Sequence, residues 1–263
     1  MAEAPASNFS RFVGEEMDFG NLKYGVHGSA HIIFDDVFIP WERVFMCGEY
    51  RFTGKLVDYF TRLQRLATTS CKCGHRDLLI GASAVIADYN GVGDAEHIRE
   101  KLTDLYFQSE LSAGCALASV YNGEKTASGV YLPDSHYINI AKLQGVNAIW
   151  DGTYKMADVA GGLVCTSPTS KDMKHEKIGK LLTKYLKAKA DVPAEYRIRM
   201  MRLVEYLSGQ GSVIPIESTH GAGSPQAQRI LIQGSLIRNM ERFKKAAKVL
   251  AGVEEHTDEP ATP

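Results

Sequence analysis

The sequence predicts a mainly α chain, a bundle of long helices preceded by a short β segment, and three observations carry that expectation. Beyond residue 52, apolar residues recur every three or four positions, the spacing that keeps them on one face of a helix. Glycine, asparagine, serine and proline collect between those stretches, as in NGVGDA at 90–95 and GAGSP at 221–225, where they suit helix ends and turns. Only near the start does the pattern favour extended chain. There HIIFDDVFIPWERVFMC, from His31 to Cys47, alternates β-branched and aromatic residues with acidic ones around a proline, so β structure is expected at about 24–47.

Leu56, Tyr59, Phe60, Leu63 and Leu66 fall at helical spacing and predict a first helix over about 53–69. A second starts near Cys71, carries Leu78, Leu79, Ala82, Val85, Ile86 and Tyr89, and stops at the glycines and asparagine that follow. A third covers about 95–120, with Ile98, Leu102, Leu105, Leu111, Cys115 and Leu117 as its stripe and Asn122-Gly123 closing it. Further helices are expected over about 134–162, 171–189, 193–209 and 224–252. Helices of this length with connections of middling length make a bundle. A composition shift near residue 50 separates an extended segment, 1–50, from the bundle, 51–253, and EEHTDEPATP at 254–263 reads as a frayed tail.

The bulk composition narrows the function classes. With 263 residues, 44% apolar and 23% charged, the sequence describes an ordinary soluble chain of one large or two modest domains. Thirty basic residues balance 31 acidic ones without a basic stripe, so no nucleic-acid partner is expected. The start, MAEAPASNFSRF, lacks the charged and apolar blocks of a signal peptide, and no apolar run approaches the roughly 18 residues that cross a bilayer. A cytoplasmic protein with no membrane partner is expected. Five cysteines, an odd number in a long chain, fit a reducing compartment better than a disulfide framework.

Three segments can carry chemistry. In IESTHGAGSPQAQR, from Ile216 to Arg229, a Gly-Ala-Gly turn leads into Ser224-Pro225, a good cap and first position for a helix. Free N–H groups there, beside Glu217, His220 and Arg229, can bind an anion; a well-capped loop with no ligand is the plainer reading. In TTSCKCG, at 68–74, Cys71 beside Lys72 is a candidate soft-metal ligand or reactive thiol, although a Cys-x-Cys pair alone cannot complete a four-ligand site and helix-packed cysteines are usually inert. In VAGGLVCTSP, at 159–168, Gly161-Gly162 permits close approach of a backbone or a ligand, close helix packing being the alternative. Neither a Walker motif nor a strand-embedded GxGxxG is present.

FDDVFIPWERVFMCGEY, CKCG with LLIGASAVIADYNG, DVAGGLVCTSP and ESTHGAGSPQAQR, in that order over about residues 24–253, resemble the 4-hydroxybutyryl-CoA dehydratase and 4-hydroxyphenylacetate 3-monooxygenase family, the dehydratases more closely. The resemblance implies an acyl-CoA-dehydrogenase-like fold of N-terminal helical domain, middle β domain and C-terminal helical bundle, assembled as a tetramer with FAD at subunit interfaces. This chain matches the last strands of the β domain, within 1–50, and the bundle. It is therefore expected to be a C-terminal half, either a fragment or one partner in a complex. An N-terminal-half subunit would supply most of the acyl-CoA pocket and two cysteine ligands of a [4Fe-4S] cluster.

Cys71 and Lys72 match a cluster-ligating cysteine and the lysine after it, while Gln64 stands where the dehydratases carry a ligating histidine and Thr68 where they carry a tyrosine. Ser29 stands in place of one glutamate, and Glu217 matches another. The implied sites are Lys72 and Glu217 as catalytic groups, Cys71 as a metal ligand, and Gly161, Gly162, His220, Gly221, Ser224 and Gln226 against FAD. An amide is a poor iron ligand and a poor base, which weakens the catalytic inference, and the resemblance allows a cluster only with a partner chain that brings the missing cysteines. Three readings follow. The first is a dehydratase or isomerase acting on an acyl-CoA. The second is a monooxygenase acting on a small aromatic with reduced FAD from a reductase. The third is a non-catalytic diverged subunit. A homo-oligomer or a hetero-complex is expected in each.

Overall fold

The computed structural model describes residues 16–19, 31–210 and 218–253. Three long helices form its centre: α1 (Thr53–Asn90), α2 (Glu96–Tyr121) and α3 (Ser135–Ala160), each packed on the other two. A two-stranded antiparallel hairpin, β1 (Glu124–Lys125) and β2 (Tyr131–Leu132), joins α2 to α3. Short helices α4 (Leu163–Thr166), α5 (Ser170–Lys174) and α6 (Ile178–Tyr185) lead to α7 (Ala194–Glu205), which runs on into a π-helical turn, Tyr206–Gln210. A last long helix, α8 (Pro225–Leu250), lies on α3.

The two helices expected around 53–69 and from Cys71 are one unbroken helix of 38 residues. No proline interrupts it. The weak helix formers at its middle turn their hydroxyls back on the helix, Thr68 to the Arg65 carbonyl and Ser70 to the Leu66 carbonyl, which satisfies them without breaking the ladder. The reverse holds for 171–189. There His175 adopts an extended conformation and its Nδ1 accepts from the amides of Lys177 and Ile178, ending α5 and opening α6.

The main core gathers Leu79, Ile86, Ile98, Met156, Met201 and Val204, from α1, α2, α3 and α7. Each fully buried side chain of this size contributes about 1.5–3 kcal/mol. Upstream of Leu79 the same face of α1 changes character, and Arg76, Lys72, Thr69, Arg65 and Arg62 take the buried positions. Steps of three and four keep them in line.

The expected β segment is not a strand over its described part. Residues 31–49 are irregular apart from a 3-10 turn at Trp41–Arg43. Phe38 and Phe45 stand 85% and 99% exposed. A strand needs a neighbour to satisfy its backbone groups, and none among the described residues pairs with this segment. The short hairpin at 124–132 was not anticipated. Residues 24–30, also expected to be extended, lie outside the described residues.

Candidate functional site

The buried polar stretch of α1 faces α3 and the residues that precede α8. Arg62 is paired: its Nε donates to the Pro133 carbonyl at 2.6 Å, and its Nη1 reaches Asp58 and Glu124. Arg65, Arg76 and Lys142 differ, because among the described residues none of them has a carboxylate within ion-pair distance. Arg65 Nε donates to the Ala222 carbonyl at 3.1 Å and Lys142 Nζ to the Ser218 carbonyl at 2.9 Å. Arg76 donates to Ser112 Oγ and to Cys73 Sγ, each at 3.0 Å. Lys72 Nζ lies 3.4 Å from the Thr68 carbonyl.

Gly145 of α3 makes room for this row. A Cβ there would sit 3.3 Å from Lys72 Cδ and 3.8 Å from Arg76 Nη1, so the two cationic side chains pass over a position that holds no side chain. The result is a buried positive node of Arg65, Lys72, Arg76 and Lys142, with Lys142 fully buried. Burial, and then the charges of Lys72 and Arg65, push the Lys142 ammonium down to about 7. Burial and the neighbouring Arg76 push His75 down to about 4, and neither ring nitrogen of His75 has a hydrogen-bond partner among the described residues. Burial also lowers Arg65, against the opposing pull of Asp58.

The turn before α8 is tied down on several sides. Besides Lys142 and Arg65, Trp150 Nε1 donates to Thr219 Oγ1 at 2.8 Å, and Gln228 Nε2 donates to the Gly223 carbonyl at 3.3 Å. Ser224 caps α8 as expected, its Oγ accepting from the Ala227 amide at 3.3 Å. This cap uses much of the anion-binding capacity expected there. Pro225 has no N–H, and Gln228 N donates to the Ser224 carbonyl, which leaves the Gln226 amide in the first turn. Positive charge at this place comes chiefly from α1 and α3.

The structure thus brings Lys72 together with the segment of Gly221 and Ser224, through Lys142 and Arg65. His220 and Gln226 are exposed beside it. Glu217 lies outside the described residues, as does Ser29. Gly161 is the C-cap of α3 with φ 81°, a left-handed conformation that favours glycine. It lies roughly 28 Å along the helix axis from Lys142 at 1.5 Å per residue, so Gly161 and Gly162 do not join the node. Cys71 is exposed and, one residue from Lys72, is turned about 100° away from the buried face. Gln64, Thr68 and Cys71 share one side of the continuous helix, as their spacing predicts.

Among the described residues no three His, Cys, Asp or Glu side chains converge as a metal site would require, so this part of the chain does not fit an iron–sulfur cluster unaided. No helix among them is long and apolar enough to cross a membrane. Arg65, Arg76, Lys142 and Gln228 were not singled out by sequence. The signal for the first two was there: positions 65, 69, 72 and 76 continue the buried stripe of Leu79, Ser83 and Ile86, but a polar stripe reads as a solvated face.

Residues 53–252 match the C-terminal domain family of 4-hydroxyphenylacetate 3-hydroxylase, HpaB. The chain is 36% identical over 252 residues to 4-hydroxybutyryl-CoA dehydratase/vinylacetyl-CoA-Δ-isomerase of Clostridium aminobutyricum, an alignment that takes in 91% of this chain and 50% of that protein. An oxygen-tolerant archaeal 4-hydroxybutyryl-CoA dehydratase from N. maritimus superposes with a TM-score of 0.83 at 42% identity, over 95% of this chain and 49% of the other. The oxygenase component of 4-hydroxyphenylacetate 3-monooxygenase, solved with FAD and 4-hydroxyphenylacetate, shares the fold with a TM-score of 0.74 at 22% identity, over 84% of this chain and 47% of that one. The chain spans about half the length of the relatives it matches. The mainly helical, acyl-CoA-dehydrogenase-like fold expected from sequence is the fold of these relatives, and the chain belongs to the 4-hydroxyphenylacetate 3-hydroxylase C-terminal (HpaB) family.

Proposed function

We propose that this chain is the C-terminal part, or a separate subunit, of a flavin-dependent enzyme of the 4-hydroxybutyryl-CoA dehydratase/vinylacetyl-CoA isomerase type. The observation that carries the reading is the 36% identity to the dehydratase across 91% of the chain. The node adds a physical argument. Arg65, Arg76 and Lys142, buried with no carboxylate at ion-pair distance among the described residues, are costly to bury and make a local attraction for the anionic groups of a nucleotide cofactor or an acyl-CoA.

The node and the turn before α8 fit such a cofactor in charge. FAD, when bound, supplies the redox chemistry. In this proposal His220, Gly221, Ser224 and Gln226 line the cofactor, and Lys72, with the carboxylate of Glu217, orients the substrate and holds or accepts a proton. Gly161 and Gly162, at the far end of α3, serve the cofactor bound by a second copy. Cys71, exposed on the far flank of α1, becomes a cluster ligand only against a cysteine-bearing partner chain.

A second reading, an aromatic monooxygenase component that takes reduced FAD from a reductase, is favoured by Gln64 and Thr68 in place of histidine and tyrosine. Iron, acid-labile sulfide and flavin analysis of anaerobically purified complex separates the two. Flavin with iron and sulfide supports the dehydratase reading; flavin without iron, and hydroxylation of a phenol, supports the monooxygenase.

A further inference from the structure

We propose that Lys142 and Arg65 are positioning residues: their donations to the carbonyls of Ser218 and Ala222 clamp the 218–224 turn onto the α1–α3 seam and set His220, Gly221 and Ser224 relative to Lys72. The identity of what is positioned rests on the functional reading above; the clamp rests on the geometry.

The two contacts, 2.9 and 3.1 Å, come from different helices and grip the turn at two carbonyls, Ser218 and Ala222. Lys142 is fully buried and Arg65 is 4% exposed. As mere adhesive they are a poor choice, because a buried cation loses its hydration and a neutral carbonyl returns only part of it. A methionine at position 142 would fill similar space at no electrostatic cost. What the cations provide is direction. Each fixes one named carbonyl, and the turn has little apolar surface of its own to hold it, only Ala222 within it being a buried hydrophobic residue. Gly223 completes the fit, since a Cβ there would lie 3.1 Å from Arg65 Nη2.

Amide hydrogen exchange over peptides covering 218–228 tests the clamp in the full-length chain, alone and in its flavin-loaded complex. Lys142→Met and Arg65→Met are expected to exchange about tenfold faster there while peptides of α2 keep wild-type rates, and Lys142→Arg is expected to recover most of the protection. Flavin affinity is expected to fall in parallel and to recover in Lys142→Arg. Unchanged exchange at 218–228, or an equal rise across the whole chain, overturns the clamp. Should Lys142→Met unfold, Arg65→Gln decides, because it removes the charge and shortens the donor away from the Ala222 carbonyl; wild-type protection in that variant also overturns the clamp. A wild-type complex that binds no flavin, with the turn still released in the variants, overturns the flavin reading and leaves the clamp in place.

Discussion

Lys142 occupies a position of α3 where leucine or isoleucine would be ordinary, and His75 is buried with both ring nitrogens unpartnered among the described residues. Both make stability depend on pH. The folded His75 holds its proton only below about 4, against 6.5 when unfolded, so between those values the unfolded chain binds the extra proton and stability rises with pH. Lys142, at about 7 against 10.5, gives a second rise between 7 and 10.5 by the same sign. Urea midpoints are expected to climb from pH 4.5 to 7, and His75→Phe is expected to flatten that climb. An equally steep climb in His75→Phe would show that other groups cause it. Gly162 gives a clean probe of the cofactor proposal. Its φ is −60° and a Cβ there meets nothing within 4 Å, so Gly162→Leu should leave the fold intact and reduce flavin retention in the assembled protein. Unchanged flavin stoichiometry would remove Gly162 from the site.

Helix α1 is one element with two chemistries on one buried face. Downstream, Leu79→Ala is expected to destabilise by about 2–5 kcal/mol, as large-to-small core changes do. Upstream, Thr69 is fully buried with its hydroxyl unpartnered among the described residues, so Thr69→Val removes an unmade hydrogen bond and is expected to be neutral or stabilising by about 1 kcal/mol. Denaturant midpoints of the two variants check both signs. Most helices were legible in the sequence because apolar period and turn residues agreed: α2, α3 and α8 begin and end within two residues of expectation. The break expected near residue 70 was not real, because hydroxyl side chains can bond back to their own helix. The break at His175 was missed because a side chain, not a proline or glycine, makes it. The node was illegible for a different reason. Position 142 reads as one lysine in an amphipathic helix, and only packing shows that it meets Lys72 and Arg65.

At the scale of the molecule, much apolar surface has no partner among the described residues. Phe38, Phe45, Leu56, Phe60, Leu63 and Leu78 are all exposed, and Phe52, Leu56, Tyr59, Phe60 and Leu63 line one groove at the start of α1. Apolar surface on this scale marks an interface, and light scattering is expected to give a mass above that of a single chain. A monomer over a wide concentration range would count against it. Cys71, which is exposed, shares one side of α1 with the half-buried Gln64 and Thr68, so the chemistry proposed for it waits on what covers that side. The most direct test of the central claim is therefore turnover: loss of water from 4-hydroxybutyryl-CoA under anaerobic conditions, measured for the purified chain alone and for the chain combined with the complementary half of the N. maritimus dehydratase and FAD. No turnover is expected of the chain alone, and turnover is expected of the combination. Turnover by the single chain, abolished by Cys71→Ala, would contradict that claim.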